Sequence, residues 1–479
     1  MELLLKNYEY QNEFFDIARE FLPVTIDDTS VIEINYSAEN DVLKIAVAIN
    51  STKGKKDFSF CYDITPIETI KKRCKLGLYD ALTAYFGIEL PWGALTGIRP
   101  TKLAYDLIEK GIKMSNLKSY FKQNYRVSDE KIDLILEILQ NQKPMEYGDT
   151  LVDFYVNIPF CTTKCSYCSF ISAPIDKVQN YVSPYVDALL KEIESAKKLI
   201  KDKCLYVKNV YIGGGTPTAI PASELERILK SLYFPTAKEF TVEAGRPDTI
   251  TKEKLDVLQK YGVTRISINP QSFNDKVLEK IGRAHTAQQT IDAYNLARNY
   301  NFQINMDLIA GLPAETLKSF KQSIDKTIEL CPDNVTVHTL CLKRASEFAM
   351  TNQNIFKASL TDKMVDYAHK KLLANNYKPY YLYRQKNQLS NLQNVGYFKG
   401  NTICRFNVES MEESISVLAC GANAISKRIF NLTNRIEREA NVKDIPNYIC
   451  RINEMIDRKK KLFEKWFFKK VLYIGGSLC

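Results

Sequence analysis

Between about residues 150 and 340, six short β-rich runs alternate with amphipathic helical stretches. This alternation confines the segment to βα units around a parallel sheet. The runs Asp153–Ile158, Asn209–Ile212, Glu239–Ala244, Thr264–Ile268, Gln303–Ile309 and Asn334–Thr339 predict its strands. Six units give an α/β fold, a partial (β/α)6 barrel, for residues 149–345.

The flanking sequence reads differently. Residues 1–148 suit an α+β accessory domain, with a meander over 31–36, 42–50 and 57–62 and helices near 66–87, 101–111, 115–123 and 128–142. A turn-rich connector, Leu90-Pro91-Trp92-Gly93 and then Thr96 to Lys102, carries an N-cap-like threonine before a helix. Residues 346–479 read as a mixed, mainly helical region. It has helices near 361–376, 411–419, 437–440 and 444–464, a strand-like 377–383 and a loop over 384–404. The tail 462–479, with Trp466, Phe467 and Phe468, is expected to pack as an extra element.

At 479 residues, 45% hydrophobic and 25% charged, the composition is that of a folded globular protein, which excludes a disulfide mini-scaffold and wholesale disorder. The leading MELLLKNYEY is too short in apolar residues for a secretory signal, and the most apolar C-terminal stretch is broken by Lys469 and Lys470. A cytoplasmic protein without a membrane span is expected. In that reducing setting the twelve cysteines are buried small groups or serve metal and redox chemistry. The net charge of +10 fits an anionic ligand, and no nucleic acid is expected, because no recognition motif accompanies the basic runs.

Cys161, Cys165 and Cys168 follow the first barrel strand in a C-x3-C-x2-C spacing. Three thiolates from one short loop can hold an iron–sulfur cluster and leave one iron of a four-iron cluster open to an outside ligand. A structural zinc site and a redox CxxC are the alternatives. Zinc lacks a fourth ligand nearby, since His285, His338 and His369 are all distant in sequence.

Functional groups of a parallel barrel gather at the C-terminal strand ends. There lie Gly213-Gly214-Gly215-Thr216-Pro217-Thr218, Glu243, Gln271, Arg283 and Asp307. The glycines let backbone approach a ligand and offer N–H groups to a carboxylate, in a pattern that is neither a Rossmann fingerprint nor a P-loop; an ordinary strand-to-helix turn is the alternative. The carboxylates can accept from amines and hydroxyls, and Gln and Arg can donate. His285 and His338 also lie near strand ends, where a structural role is favoured for His285.

Tyr155 to Cys168, with Tyr167 before the third cysteine, resembles the signature of the radical S-adenosylmethionine (SAM) superfamily. Within it the chain is similar to the oxygen-independent coproporphyrinogen III oxidase family, and most to its HemZ branch. Pro91-Trp92-Gly93…Arg99-Pro100 and Tyr383-Arg384-Gln385-Lys386-Asn387…Asn394-Val395-Gly396-Tyr397 carry the likeness into both flanks. The resemblance implies a 4Fe–4S cluster on Cys161, Cys165 and Cys168. It implies SAM contacts at Tyr155, Tyr167, Gly213, Gly214, Gly215, Thr216, Glu243, Gln271, Arg283 and Asp307, and at Ile425 in the small-residue turn Gly421–Ser426.

The activity implied is that of a radical SAM oxidoreductase, a coproporphyrinogen dehydrogenase of haem biosynthesis. A 5′-deoxyadenosyl radical takes hydrogen from a propionate of coproporphyrinogen III, and loss of carbon dioxide leaves a vinyl; two such events give protoporphyrinogen IX. The partners implied are an anionic tetrapyrrole and a low-potential electron donor of flavodoxin or ferredoxin type. Arginine forks such as Arg99, Arg384 or Arg405 suit the carboxylates of such a substrate. Two positions depart from the pattern: Phe170 stands where the oxidase proper carries a further cysteine, and Asn157 replaces a histidine common before Ile-Pro-Phe-Cys. Cys168-Ser169-Phe170 looks like relatives that include haem chaperones, so a haem-binding trafficking protein and another radical tetrapyrrole reaction, such as haem ring opening, stay open.

Overall fold

The computed structural model describes residues 2–5, 11–21, 31–65, 67, 69–142, 146–341, 358–385, 392–431 and 435–474. The chain divides into two compact units. One comprises residues 1–141, 357–362 and 382–394, the other 142–356, 363–381 and 395–479.

The first unit is built on a four-stranded sheet in the order β1 (Glu2–Leu5), β2 (Val31–Glu39), β3 (Val42–Ser51), β4 (Gly54–Asp63). The meander β2–β4 is the one its alternating sequence predicts, and β1, parallel to β2, is an addition. Ile32 and Ile34 of β2 and Leu43, Ile45, Val47 and Ile49 of β3 are buried at every second position, in one core with helices Gln11–Phe21 and Ile70–Phe86. Helix Pro100–Glu109 is capped by Arg99 with Pro100 in its first turn, so Thr101 lies inside the helix and not at its cap. Proline's fixed φ suits that first position.

The two flanking motifs meet inside this unit. The Trp92 indole donates to Gln393 Oε1 (3.0 Å), the Arg384 amide donates to Ile98 O (2.7 Å), and the Arg384 guanidinium lies over Trp92, bonded to Leu95 O and to Glu20. Arg384 is therefore a buried structural cation, not a surface fork for substrate. Lys386 and Asn387 lie outside the described residues.

The barrel strands are β5 (Leu151–Ile158), β8 (Tyr206–Gly214), β9 (Glu239–Val242), β10 (Arg265–Ser267), β11 (Gln303–Ala310) and β12 (Asn334–Thr339); between the first two lies a two-residue pair, β6 (Phe160–Cys161) and β7 (Ala173–Pro174). All six are parallel, in chain order. Later strands β13 (Lys378–Tyr383), β14 (Asn394–Phe398), β15 (Ser416–Cys420), β16 (Ile425–Phe430) and β17 (Arg435–Ala440) extend the sheet to eleven. β15 lies parallel to β5 as a seventh parallel strand, and β14 runs antiparallel to β12.

Helix was expected near 411–419 and 437–440, yet helix Arg405–Glu412 gives way to β15 and 437–440 falls in β17. The run Ser416–Cys420 is buried throughout, and periodicity cannot separate such a strand from a buried helix. The helix expected over 444–464 is two, Ile445–Cys450 and Ile452–Ile474; the side chains of Trp466, Phe467 and Phe468 lie outside the described residues. Among the described residues no helix is long and apolar enough to cross a membrane.

Each barrel strand has two faces. Phe154, Val156, Val210, Ile212, Val242, Ile266, Ile304 and Met306 pack in one core with apolar residues of the surrounding helices. The alternate positions are polar and bond to one another: Asn209 to Asp153 (2.8 Å), Asn305 to Asp307 (2.8 Å), Arg265 to Asn334 and to Glu239 (3.4 Å). At the base of the barrel Glu239 accepts from the Cys404 thiol and from the amides of Arg405 and Phe406, satisfying the N-terminal donors of helix Arg405–Glu412.

Glu192, in helix Val182–Asp202, ties the C-terminal elements to the barrel. Its carboxylate accepts from the Gly421 amide (2.7 Å), Asn441 Nδ2 (2.8 Å), the Tyr448 hydroxyl (2.5 Å) and the Lys459 ammonium. Glu192→Ala leaves the buried Lys459 unpaired and should lower the unfolding free energy by about 3–5 kcal/mol. Glu192→Gln combined with Lys459→Met, which removes both charges and keeps an acceptor for the other donors, should lose less; an equal or larger loss in chemical denaturation would contradict this pairing.

Candidate functional site

The cysteine loop is fixed by its own backbone and by the chain beyond the fourth barrel strand. The Ser166 amide donates to Ile281 O (3.1 Å), the Thr163 hydroxyl to Gly282 O (3.1 Å), and the Cys168 amide to Cys165 O (3.0 Å). Thr216 Oγ1 donates to Cys161 Sγ at 3.6 Å, and Arg246 Nη1 reaches Cys165 Sγ at 3.9 Å. Burial pushes the Cys168 thiol up to about 11, and the nearby Cys165 and Cys161 act in the same direction.

Against this loop lies the glycine strip that ends β8. The Gly215 amide donates to Ile158 O (2.8 Å) and the Thr216 amide to Phe160 O (2.7 Å). Gly214 has φ +108°, and a Cβ there would stand 2.3 Å from Asn157 Oδ1; one at Gly215 would stand 2.5 Å from Phe160 O and 2.9 Å from Cys161 Sγ. Only glycine lets the strip approach this closely.

The other strand ends bring Glu243, Gln271 and Asp307 round the barrel mouth. Glu243 accepts from the Tyr211 hydroxyl (2.5 Å), and a Cβ on Gly213 would touch its Oε2 at 3.0 Å. Burial pushes its carboxyl up to about 7, with nearby Asp307 adding to the rise. Burial also raises Asp307, but its interaction with His338, whose Nε2 stands 3.7 Å from Oδ2, prevails and holds it below its ordinary value. Gln271 has φ +64° and exchanges backbone bonds with β11, its amide donating to Asp307 O (2.9 Å). Its buried Oε1 has no hydrogen-bond partner among the described residues.

Arg283 and Tyr167 are brought into direct contact. Arg283 Nη1 donates to the Tyr167 hydroxyl (3.1 Å), and Nη2 donates to Gly245 O and Asn269 O (both 2.8 Å). Tyr155 stacks with Tyr211 and Phe406 at 6.1 Å each, and Ala424 packs on it. Ile425, next to Ala424, is 47% exposed and pairs with Ala440 at the start of β16. His285 is buried beside Arg283, and burial followed by the charges of Arg283 and Arg246 pushes it down to about 3. That fits a neutral structural histidine.

Sequence reasoning passed over Tyr211, Phe406 and Arg246, and it gave His338 no partner. The two-residue strand period, counted forward from Glu239 to Glu243 and from Asn305 to Asp307, could have placed Tyr211 and His338 on the site's face. Nothing in the sequence signals Phe406 or Arg246.

The donor set fits a cluster with SAM. Three thiols share one half-buried loop, with Cys165 buried, and two have N–H or O–H donors on their sulfurs, beside close-approach glycines and Gln271 Oε1, which is unpartnered among the described residues. Among the described residues no three Cys, His, Asp or Glu side chains are already gathered into a metal-holding group. A sequence model of the radical SAM superfamily matches residues 155–327. The HemZ protein of Bacillus subtilis, described as oxygen-independent coproporphyrinogen-III oxidase-like, is 39% identical over 457 residues, 92% of this chain and 91% of its own. This chain belongs to the HemZ family of radical SAM proteins. The cofactors of that superfamily are a 4Fe–4S cluster and SAM. The heme chaperone HemW of Bacillus subtilis is 35% identical over 205 residues, 40% of this chain and 52% of its own. The coproporphyrinogen III oxidase HemN of Escherichia coli shares the fold, with a TM-score of 0.51 and 23% identity over 66% of this chain and 72% of that one.

The HemZ-family barrel also buries Glu315 just past β11. Its Oε1 accepts from Ser272 Oγ (2.8 Å), and burial pushes the carboxyl up from 4.5 to about 8. Between those pH values the folded state keeps a proton that the unfolded chain releases, so stability falls as pH rises, by up to about 5 kcal/mol. Glu315→Gln should flatten that part of the stability–pH profile; an unchanged slope would contradict the assignment.

Proposed function

We propose that this chain is an oxidoreductase that decarboxylates the propionates of coproporphyrinogen III without oxygen, giving protoporphyrinogen IX. The observation that carries the reading is the apposition of the cysteine loop to the glycine strip, Thr216 Oγ1 standing 3.6 Å from Cys161 Sγ. In this reading Cys161, Cys165 and Cys168 ligate the cluster. The backbone of Gly213, Gly214, Gly215 and Thr216 receives the amino-acid end of SAM. Tyr167, held by Arg283, Tyr155 and Ile425 border the rest of SAM, and Glu243, Gln271 and Asp307 meet its amine and hydroxyls.

The bound cluster and SAM together supply a hydrogen-abstracting radical. Each propionate would lose one hydrogen atom to that radical, one electron to an acceptor and one carbon dioxide, leaving a vinyl. The protein's part is to orient the macrocycle, exclude water and oxygen, and hold the carboxylates. Arg405 sits with its helix at the base of the barrel, its Nη1 on Gln142 O (3.3 Å), which leaves Arg99 as the candidate fork. Residues 1–148 are then an accessory region and 346–479 a substrate-covering one. A flavodoxin- or ferredoxin-type donor reduces the cluster, in the cytoplasm.

Phe170, 66% exposed beside the cluster loop, favours a second reading, a haem-binding trafficking protein, because it stands where the oxidase pattern has a cysteine. One experiment separates the two. The cluster-reconstituted protein is incubated anaerobically with SAM, a low-potential reductant and coproporphyrinogen III, and tetrapyrroles are followed by mass. Mono- and divinyl products are expected, and Cys165→Ala should abolish both cluster and SAM cleavage. Cleaved SAM with unchanged porphyrinogen, together with stable haem binding, would overturn the oxidase reading.

Glu243 makes a second test. Its carboxyl is pushed up to about 7, and N–H and O–H donors of SAM favour the ionised form, so SAM affinity should fall as pH drops below that value, by up to about tenfold per unit. Glu243→Gln should bind SAM weakly at every pH; a wild-type affinity that does not change with pH would contradict the contact.

A further inference from the structure

Arg246 is 3% exposed, lies three residues beyond Glu243, and has no part in the roles assigned so far. Its Nη1 donates to Thr163 Oγ1 (2.9 Å) and reaches Cys165 Sγ (3.9 Å). Its Nε and Nη2 form a fork on the Asp248 carboxylate (2.9 and 3.1 Å). The guanidinium is thus aimed at a sulfur by a carboxylate behind it, and Thr163 fixes its height along the cysteine loop. A fork of this kind is rigid, and arginine keeps its charge when buried.

We infer that Arg246, set by Asp248, is a positioning residue that tunes the reduction potential of the group on Cys165. The inference rests on the reading of Cys161, Cys165 and Cys168 as cluster ligands. Reduction adds negative charge to a cluster. A fixed cation and an N–H donor at a ligating sulfur stabilise that charge, strongly so where water is excluded. The Asp248 carboxylate, farther from the sulfur, offsets part of the effect. Arg246 therefore sets how strong a reductant the donor must be, without touching SAM or substrate.

The two residues act with opposite signs, which a merely structural pair would not do. Reconstituted full-length wild type, Arg246→Gln, Arg246→Lys and Asp248→Asn would be titrated with a graded reductant, without SAM or substrate, and the reduced cluster read by electron paramagnetic resonance. Arg246→Gln should lower the reduced-to-oxidised ratio at fixed potential by about tenfold, about 59 mV for a one-electron couple. Asp248→Asn should raise it, and Arg246→Lys, which keeps the charge and loses the fork, should fall between wild type and Arg246→Gln. A loaded Arg246→Gln with the wild-type midpoint, or both neutral variants shifting the same way, would overturn the inference. If Arg246→Gln fails to hold iron, an unchanged midpoint in Asp248→Asn overturns it equally. Wild type that binds no iron would instead overturn the cluster reading, and this inference with it.

Discussion

The structure depends on one constraint, that alternate residues of each parallel strand satisfy opposite demands. Val156, Ile212, Val242, Ile266 and Met306 bury apolar surface against helices, while their neighbours present polar groups that have no helix to meet. Those groups must satisfy one another, because a buried donor or acceptor without a partner costs about 1–3 kcal/mol. Asp153–Asn209, Arg265–Asn334 and Tyr211–Glu243 do so at successive heights. Towards the base most polar groups are paired, to one another and to helix Arg405–Glu412, although Asp153 Oδ2, Thr241 Oγ1 and Arg265 Nε find no partner among the described residues. At the mouth Gln271 Oε1 is likewise unpartnered among the described residues and Glu243 is raised to about 7, and there a ligand can complete them.

The mouth is also where the backbone is least free to change. Gly214 and Gly215 are pressed against Asn157, Phe160 and Cys161, so the strip that offers N–H groups and the loop that offers thiols keep one spacing. Asn157 joins this assembly to the last parallel strand, its Nδ2 donating to Ala422 O (2.7 Å) while its own carbonyl accepts from Tyr185 (2.7 Å). The asparagine side chain supplies an acceptor as well as that donor, its Oδ1 accepting from the Tyr155 hydroxyl (3.2 Å).

Much of this was legible in the sequence because it is local. The six barrel strands, the meander β2–β4 and the cysteine loop each announce themselves within ten residues or so. What was not legible is carried by contacts between distant segments. The seventh parallel strand, β15, is a short buried apolar run whose identity is fixed only by pairing with β5. Trp92 and Arg384 read as two unrelated motifs until the fold stacks one on the other. Arg246 looked like one charge among many, and only its fork on Asp248 and its approach to Cys165 distinguish it.

The central claim is that the cysteine loop and the glycine strip together hold a cluster in contact with SAM. The most direct measurement is electron–nuclear double resonance on the reduced, reconstituted protein, with SAM carrying nitrogen-15 in its amino group and oxygen-17 in its carboxylate. The account predicts hyperfine coupling of both labels to the cluster, lost on replacing Gly214 by valine. A spectrum indifferent to labelled SAM, from protein shown to hold a full complement of iron, would contradict it.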